Sequence, residues 1–184
     1  MTDQADELYE RLLVVRSQTG DEAAFAELVE RYGPRVRYFL RKLLGSADSA
    51  EDAWQDVWLD VLRQVSRLSD PKAFRAWLYA IARGRAFGKL RKMRRNEQPL
   101  DESQVVDPAT AEENDFSAED AAQVHALLDR LPAEQREVLV LRFVEAMSYE
   151  EIAGVVGCQL GTVRSRIHYA KRALRRALTQ DERT

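Results

Sequence analysis

The residues from Gly161 to Arg176 combine basic and short polar side chains at helical spacing. This stretch contains six basic residues and no acidic one, although the whole chain has 31 Asp and Glu against 28 Lys and Arg. Arginine binds base edges and phosphates, and hydroxyl groups reach either. We predict that one face of this helix enters a DNA major groove. Its candidate contacts are Thr162, Arg164, Ser165, His168, Tyr169 and Arg172.

A second helix and a short turn must position that face. Ser148 followed by Glu151 is a capping-box pattern that opens a first helix, and Gly157 suits the left-handed turn after it. Apolar residues then form the inner faces of the two helices: Ile152, Ala153 and Val156 on the first, and Val163, Ile167, Ala170 and Leu174 on the second. A basic run alone is more often a solvated surface helix, but these coinciding features predict a helix-turn-helix.

A second basic segment, from Arg83 to Arg95, contains seven basic residues and no acidic one. It ends a helix that we predict to start at Pro71, with Asp70 as its cap. We assign Phe74, Trp77, Leu78 and Ile81 to the core side of this helix. The other side carries the candidates for single-stranded DNA, which is held by aromatic stacking and cations. They are Arg75, Tyr79 and Arg83.

The composition predicts an all-α protein made of two small helical domains. The chain has 184 residues, few Gly and Pro, and many helix-favouring residues. A stretch from Asn96 to Gln123 has nine acidic residues and no basic one, and it contains Pro99 and Pro108. We therefore divide the chain into an N-terminal extension (1–19), a first domain (20–95), a flexible acidic linker (96–118) and a helix-turn-helix domain (119–184).

Several function classes are disfavoured by the same composition. One cysteine excludes an internal disulfide, and two well-separated histidines provide no metal cluster. No phosphate-binding glycine loop or paired nucleophile and base is present, so we expect neither a cofactor nor catalysis. The acidic N-terminus lacks the features of a signal peptide, and no apolar run approaches the roughly 18 residues of a membrane span. We expect a cytoplasmic protein with no direct membrane insertion.

The first domain reads as consecutive helices. Asp21 caps one helix, which Gly33 and Pro34 are predicted to end or kink, and Gly45 ends the next. A further helix has an apolar stripe formed by Trp54, Val57, Trp58, Val61, Leu62 and Val65. Its opposite face carries Asp52, Gln55, Asp56, Leu59 and Arg63. In the extension, Leu8, Leu12 and Val15 form a helical stripe of unknown role.

Three ordered motifs extend this interpretation. They are "SAEDAWQDVWLDV", then "DPKAFRAWLYAIARGRA" with "LRKMRR", and then "LPAEQREVLVLRFVEAMSYEEIAGVVGC" with "GTVRSRIHYAKRAL". With them, the chain from about Gly20 to Leu178 resembles the extracytoplasmic-function (ECF) group of bacterial sigma factors, in the sigma-70 family. The resemblance implies a subunit that binds core RNA polymerase, recognises promoter DNA and directs transcription initiation. It also implies inhibition by an anti-sigma factor.

The resemblance assigns a role to each surface. Asp52, Gln55, Asp56 and Leu59 are expected to meet the clamp helices of the polymerase's largest subunit. The loop from Val65 to Lys72 is expected to pocket a flipped base of the minus-ten element. This adds Ser66, Arg67 and Lys72 to the minus-ten candidates Arg75, Tyr79 and Arg83. Arg142 joins the minus-thirty-five candidates on the basic helix.

Departures from the family pattern occur at Gly84, Gly88 and Tyr169. Asn is common in the family at the position of Gly84, and a polar or acidic residue at that of Gly88. The two glycines are expected to face inward, serving either close helix packing or an altered minus-ten contact. Tyr169 stands where relatives often have an arginine, and tyrosine cannot make arginine's bidentate contact to guanine.

Two alternatives remain open from the sequence. A conventional repressor or activator would pair the helix-turn-helix with an N-terminal dimerisation domain, which needs neither the aromatic-basic helix nor the acidic face. The acidic linker is either a passive tether, or a competitor for the basic surfaces or for the polymerase's nucleic-acid channel. Such competition would be salt-sensitive.

Overall fold

The computed structural model describes residues 2–96 and 128–181, which form helices and turns without any strand. The chain divides into two compact units, Met1–Arg91 and Lys92–Thr184. The predicted all-α class is confirmed. Beyond Asn96, the predicted acidic linker lies outside the described residues. No helix within the described ranges is long and apolar enough to cross a membrane.

The first unit contains four α-helices and two short 3₁₀ turns. In chain order they are α1 (Thr2–Gln18), α2 (Glu22–Leu44), α3 (Ala47–Gln64), the 3₁₀ turns Val65–Arg67 and Pro71–Ala73, and α4 (Phe74–Asn96). The predicted caps are confirmed. Asp21 Oδ1 accepts a hydrogen bond of 3.0 Å from the Ala24 N–H, and Gly45 ends α2 with φ of 71°. Asp70 caps the turn that precedes α4.

Gly33 and Pro34 were predicted to end or kink a helix, and the first of these alternatives is wrong, because α2 runs through both residues. The packing of Trp54 explains why glycine occupies this place. The indole N–H of Trp54 donates a hydrogen bond of 3.0 Å to the Gly33 carbonyl. A Cβ at Gly33 would lie 3.3 Å from Trp54 Cζ2, so any side chain would crowd the ring. Arg37 covers the same indole at 4.4 Å from its centroid.

The stripe predicted on α1 lies on its exposed side, and other residues form its buried side. Leu13 and Val14 are fully buried, whereas Leu8, Leu12 and Val15 are 66%, 50% and 45% exposed. The residues 1–19 were expected to form a separate extension, but α1 belongs to the first unit and packs on α2 and on both 3₁₀ turns.

Polar contacts fasten α1 to α2. The Tyr9 hydroxyl donates a hydrogen bond of 3.0 Å to Glu27, which raises the pKa of Tyr9. Arg16 donates one of 2.8 Å to Asp21. The pKa of Asp21 lies below its usual value, first because of the Ala24 N–H and then because of Arg16. α1 is therefore bound to α2 at its middle and near its C-terminal end.

The second unit contains α5 (Ala133–Leu139), a π-helical turn (Val140–Val144), α6 (Tyr149–Val156) and α7 (Leu160–Asp181). α7 packs against both α5 and α6. The core between them is formed by fully buried apolar residues, among them Val138, Leu141, Met147 and Ile152. This core fixes the side of α7 that faces outward.

Candidate nucleic-acid and polymerase interfaces

The predicted helix-turn-helix is formed by α6 and α7. Ser148 and Glu151 close a reciprocal capping box, with hydrogen bonds of 2.8 and 3.1 Å. Gly157 ends α6 in the left-handed conformation, at φ of 68° and ψ of 39°. The predicted inner residues of α7 are buried as expected: Val163, Ile167, Ala170 and Leu174. On α6, Ile152 and Val156 are buried, but Val155 takes the inward place predicted for Ala153, which is only partly buried.

The outer side of α7 presents all six predicted DNA contacts to solvent, to different extents. Thr162, Arg164 and Arg172 are exposed, whereas Ser165, His168 and Tyr169 are partly buried. The Ser165 hydroxyl donates a hydrogen bond of 3.0 Å to the Gly161 carbonyl, which leaves its oxygen lone pairs able to accept. The rings of His168 and Tyr169 meet edge to face at 5.4 Å.

Arg142 has a structural function in addition to its predicted contact with DNA. Its Nη1 donates a hydrogen bond of 2.9 Å to the Met147 carbonyl, and its guanidinium lies 5.1 Å from the Tyr149 ring centroid. Both contacts hold the turn that leads into α6. This turn includes Ala146, whose φ of 51° is uncommon for a residue with a Cβ. A DNA contact by Arg142 stays a prediction.

The prediction that Tyr79 contacts DNA is wrong for this structure, because the residue is fully buried. Its ring packs edge to face against Phe39 at 5.3 Å. Phe74 and Leu78 are buried as predicted, but Ala82 and Ala86 complete the buried face of α4. These small residues allow close helix approach, so the buried face is rotated toward Tyr79 and away from Trp77 and Ile81.

The remaining minus-ten candidates are accessible. Ser66, Arg67 and Lys72 are exposed, and Arg75 and Arg83 are partly buried. Trp77, which was assigned to the core, is only partly buried and lies 6.0 Å from Phe74 between ring centroids. With Tyr79 excluded, Trp77 and Phe87 are the partly exposed aromatic residues of this helix, and Trp77 is the one nearer to the 65–72 loop in the chain. Arg83 lies over the Phe87 ring at 4.5 Å.

The two glycines of α4 are not packing residues. Gly84 is exposed and Gly88 is partly buried, so the inward orientation expected for both is wrong for Gly84. A Cβ built at either position would meet no heavy atom within 4 Å. Close helix packing therefore does not explain either glycine.

The predicted polymerase-binding face of α3 has two parts. Its outward part includes Gln55 and Leu59, which is 48% exposed. Leu62, predicted inward, is 55% exposed and lies beside them. α3 thus presents an apolar outer patch that the sequence pattern showed only at Leu59.

The acidic part of α3 faces the basic residues of α4. Lys89 Nζ lies 3.3 Å from Asp52 Oδ2, and Arg85 Nη1 lies 3.8 Å from Asp56 Oδ2. Arg85 Nε also donates a hydrogen bond of 2.6 Å to Asp60, which raises the pKa of Arg85. We call these pairs the α3–α4 ladder. The ladder was not among the sequence predictions, although the four-residue spacing of acidic residues on one helix and of basic residues on the other was a usable signal.

A helix-turn-helix unit joined to a second helical unit with exposed basic residues defines a DNA-binding regulator of transcription. Residues 28–96 match the family described as Sigma-70 region 2, and residues 121–174 match Sigma-70, region 4. The RNA polymerase sigma-H factor of Pseudomonas aeruginosa is 33% identical, covering 90% of this chain and 92% of that protein. The ECF RNA polymerase sigma-E factor of Haemophilus influenzae is also 33% identical, covering 91% and 94%. The chain belongs to the ECF sigma factors of RNA polymerase, and it directs promoter-specific initiation of transcription.

Solved structures agree with this family. CnrH, in its complex with the cytosolic domain of CnrY, has a TM-score of 0.70 and 26% identity, covering 94% of this chain and 98% of that one. The sigma factor RpoE of Bartonella quintana, in complex with the anti-sigma factor NepR, has a TM-score of 0.64 and 28% identity, covering 84% and 96%. The regulator with an N-terminal dimerisation domain is therefore not favoured.

Proposed function

We propose that the chain performs its role through three surfaces. α7 reads the minus-thirty-five element, the 65–72 loop and α4 hold the minus-ten strand, and α3 binds the clamp helices of the polymerase's largest subunit. The observation that carries this proposal is the two-sided structure of α7, which is apolar where it is buried and basic and polar where it is exposed. Nucleotide addition belongs to the polymerase, so the chain itself supplies no catalytic group. It acts in the cytoplasm.

The start of α7 is the part best suited to read bases. Recognition helices contact base edges mainly through their N-terminal residues. Thr162, Arg164 and Ser165 lie within the first six residues of α7, which begins at Leu160. Arg172 lies two turns further along and suits a phosphate. Because Tyr169 replaces a guanine-reading arginine, the preferred minus-thirty-five sequence should lack that guanine requirement.

The minus-ten surface combines one aromatic side chain with several cations. Trp77 offers a partly exposed ring, and Arg67, Lys72, Arg75 and Arg83 supply positive charge along the loop and α4. Removing a base from the duplex costs a few kcal/mol, which stacking and pocket contacts must recover. The exposure of Ser66 and Arg67 on the loop supports their assignment to the lining of that pocket.

The polymerase contact centres on the outer patch of α3. Gln55, Leu59 and Leu62 are exposed there, and exposed apolar side chains beside polar ones are typical of a docking surface. Asp52 and Asp56 border the patch through the α3–α4 ladder. We also propose that an anti-sigma factor holds this chain, because CnrH and RpoE were solved with CnrY and with NepR. A partner that covered Leu59 would exclude the polymerase.

Reconstitution with core polymerase tests the proposal. The chain and core are incubated with a promoter library randomised at both elements, and the transcribed templates are sequenced. We expect enrichment of two short elements at the promoter spacing, dependent on both proteins. Sequence-specific binding by the chain alone, with no core-dependent transcription, would contradict the proposal.

Arg164→Ala tests the minus-thirty-five assignment within that assay. It should weaken promoter binding by ~1–3 kcal/mol and relax the preference at one base position if Arg164 reads a base. Equal weakening on every minus-thirty-five variant would instead make it a phosphate contact. Arg41→Ala, at an exposed arginine near the end of α2, is the matched control and should leave the preference unchanged.

A further inference from the structure

The last residue of α1 contacts the loop that follows α3. Gln18 Nε2 donates hydrogen bonds of 3.1 Å to the Val65 carbonyl and 2.6 Å to the Leu68 carbonyl. These two carbonyls flank Ser66 and Arg67, whose side chains are exposed. The helix α1 lies outside the residues that match region 2. Its Gln18 side chain thus binds the backbone on both sides of the exposed tip of the proposed minus-ten loop.

The buried Val65 side chain anchors the start of this loop, and the Gln18 amide adds polar contacts to its carbonyls. Val65–Arg67 is a single 3₁₀ turn, and such short turns have poorer hydrogen-bond geometry than an α-helix. One backbone hydrogen bond of 3.1 Å, from the Leu68 N–H to the Val65 carbonyl, closes it. Carbonyls at the end of a helix lack partners within that helix. The Gln18 amide has two N–H donors and supplies one to each carbonyl.

Gln18 is itself firmly placed. Leu13 and Val14 anchor α1 in the core, and the Ser17 hydroxyl bonds back to the Leu13 carbonyl at 2.8 Å. The ion pair between Arg16 and Asp21, at 2.6 Å, closes the turn directly after Gln18. The amide therefore acts from a rigid support rather than from a free chain end.

We infer that Gln18 is a positioning residue for minus-ten recognition, fixing the loop in the conformation that accepts a flipped base. This rests on the assignment of the loop proposed above. α1 then has a function that its sequence did not indicate, since it sets the geometry of a DNA-reading loop nearly fifty residues away in the chain.

The test uses Gln18→Met in the holoenzyme with core polymerase, because methionine keeps the stem and removes both donors. The probes are single-stranded non-template oligonucleotides carrying the minus-ten sequence enriched from the library, and the same oligonucleotides with each base replaced. We expect about tenfold weaker binding of the preferred sequence, equivalent to ~1.4 kcal/mol. The ratio between preferred and replaced sequences should also fall, while core affinity and minus-thirty-five duplex binding stay unchanged.

Thr19→Val is the matched control, because its hydroxyl bonds only locally, at 2.8 Å from the Arg16 carbonyl. It should leave affinity and base preference as in the wild type. Arg67→Ala distinguishes a failure of the loop assignment from a failure of the inference about Gln18. If it has no effect on minus-ten binding, the loop assignment and the inference both fail. If Arg67→Ala weakens binding and Gln18→Met changes neither affinity nor preference, the inference alone is overturned. It is equally overturned if Gln18→Met lowers all DNA affinities in parallel with the melting temperature.

Discussion

Arg166 on α7 and Glu137 on α5 form an ion pair across the core of the second unit. Arg166 Nη1 lies 3.7 Å from Glu137 Oε1, and the Glu137 side chain has no exposed surface. The helix that carries the DNA-reading residues is therefore held electrostatically by the helix behind it, as well as by apolar packing. Neither residue was among the sequence predictions, because Arg166 lies in a run of basic residues and Glu137 lies in a mixed charged run.

This pair should be measurable by a double-mutant cycle. Arg166→Met removes the cation that faces the buried Glu137 carboxylate, so we expect a loss of about 2–4 kcal/mol in the free energy of unfolding. This expected loss of stability is small for the breaking of a buried ion pair, because the Arg166 side chain is 32% exposed. Chemical denaturation of the two single variants and of Glu137→Gln with Arg166→Met gives the coupling. The double variant should lose less than the sum of the singles; strict additivity would show that the pair does not interact.

Leu59→Ala should weaken binding to core polymerase by more than ~1 kcal/mol if Leu59 anchors the interface. The residue is about half exposed in the free chain, so its removal should leave the melting temperature nearly unchanged. Leu8→Ala, at a more exposed leucine on α1, is the control and should keep full affinity. Equal affinity of Leu59→Ala and wild type in a titration of labelled core would refute the proposed contact.

Charge reversal at Asp52 and Asp56 tests the same surface less cleanly. Lysine at these positions would face Lys89 and Arg85 within the α3–α4 ladder, so stability and binding would change together. For that reason the neutral variant at Leu59 is the sharper experiment, with circular dichroism used to check the fold of any charge variant.

Gly84→Ala should stabilise the first unit by ~1 kcal/mol, because alanine favours the helix and its Cβ meets no atom within 4 Å. Gly88→Ala should give a similar gain, since its site is equally open. Thermal unfolding measures both. The functional alternative then has a direct readout: a stabilised variant whose minus-ten preference changes shows that the glycine affects DNA contact. A loss of stability would mean that α4 requires the flexibility of glycine.

Ala146→Gly should stabilise the second unit by about 0.5–1 kcal/mol. At φ of 51°, Ala146 bears a Cβ in the left-handed region, which costs roughly 1–2 kcal/mol, and part of that gain is lost to the entropy of glycine in the unfolded chain. Gly157→Ala is the reciprocal variant, since Gly157 has φ of 68°, and it should destabilise. An increase in stability for Gly157→Ala would remove the basis for both expectations.

The sequence predicted the local features of the fold well. Asp21, Ser148 with Glu151, Gly45 and Gly157 all act as predicted, because caps and left-handed turns depend on residues within one turn of each other. The inner face of α7 was also predicted correctly, since its apolar stripe is bordered by charged residues on both sides. Local chemistry was sufficient in these places.

Orientation was harder to predict where a helix has apolar residues on more than one side. On α4 the large residues Trp77 and Ile81 were taken as the inner face, whereas Tyr79 with Ala82 and Ala86 is inside. On α1 the stripe visible in the sequence was Leu8, Leu12 and Val15, whereas the buried residues are Leu13 and Val14. The size of the apolar side chains did not indicate which side of each helix packs against another helix. Long-range pairs such as Gln18 with Leu68 leave no signal in a single sequence at all.

The α3–α4 ladder changes how much of α4's positive charge nucleic acid can use. A cation that meets a phosphate releases condensed counterions, and each such contact adds to the salt dependence of binding, with ~0.7 per phosphate for single strands. Arg85 and Lys89 are already paired with carboxylates of α3. They therefore contribute less to the counterion release that accompanies nucleic-acid binding. The effective positive charge of α4 is therefore lower than its sequence suggests, because carboxylates of α3 offset part of it.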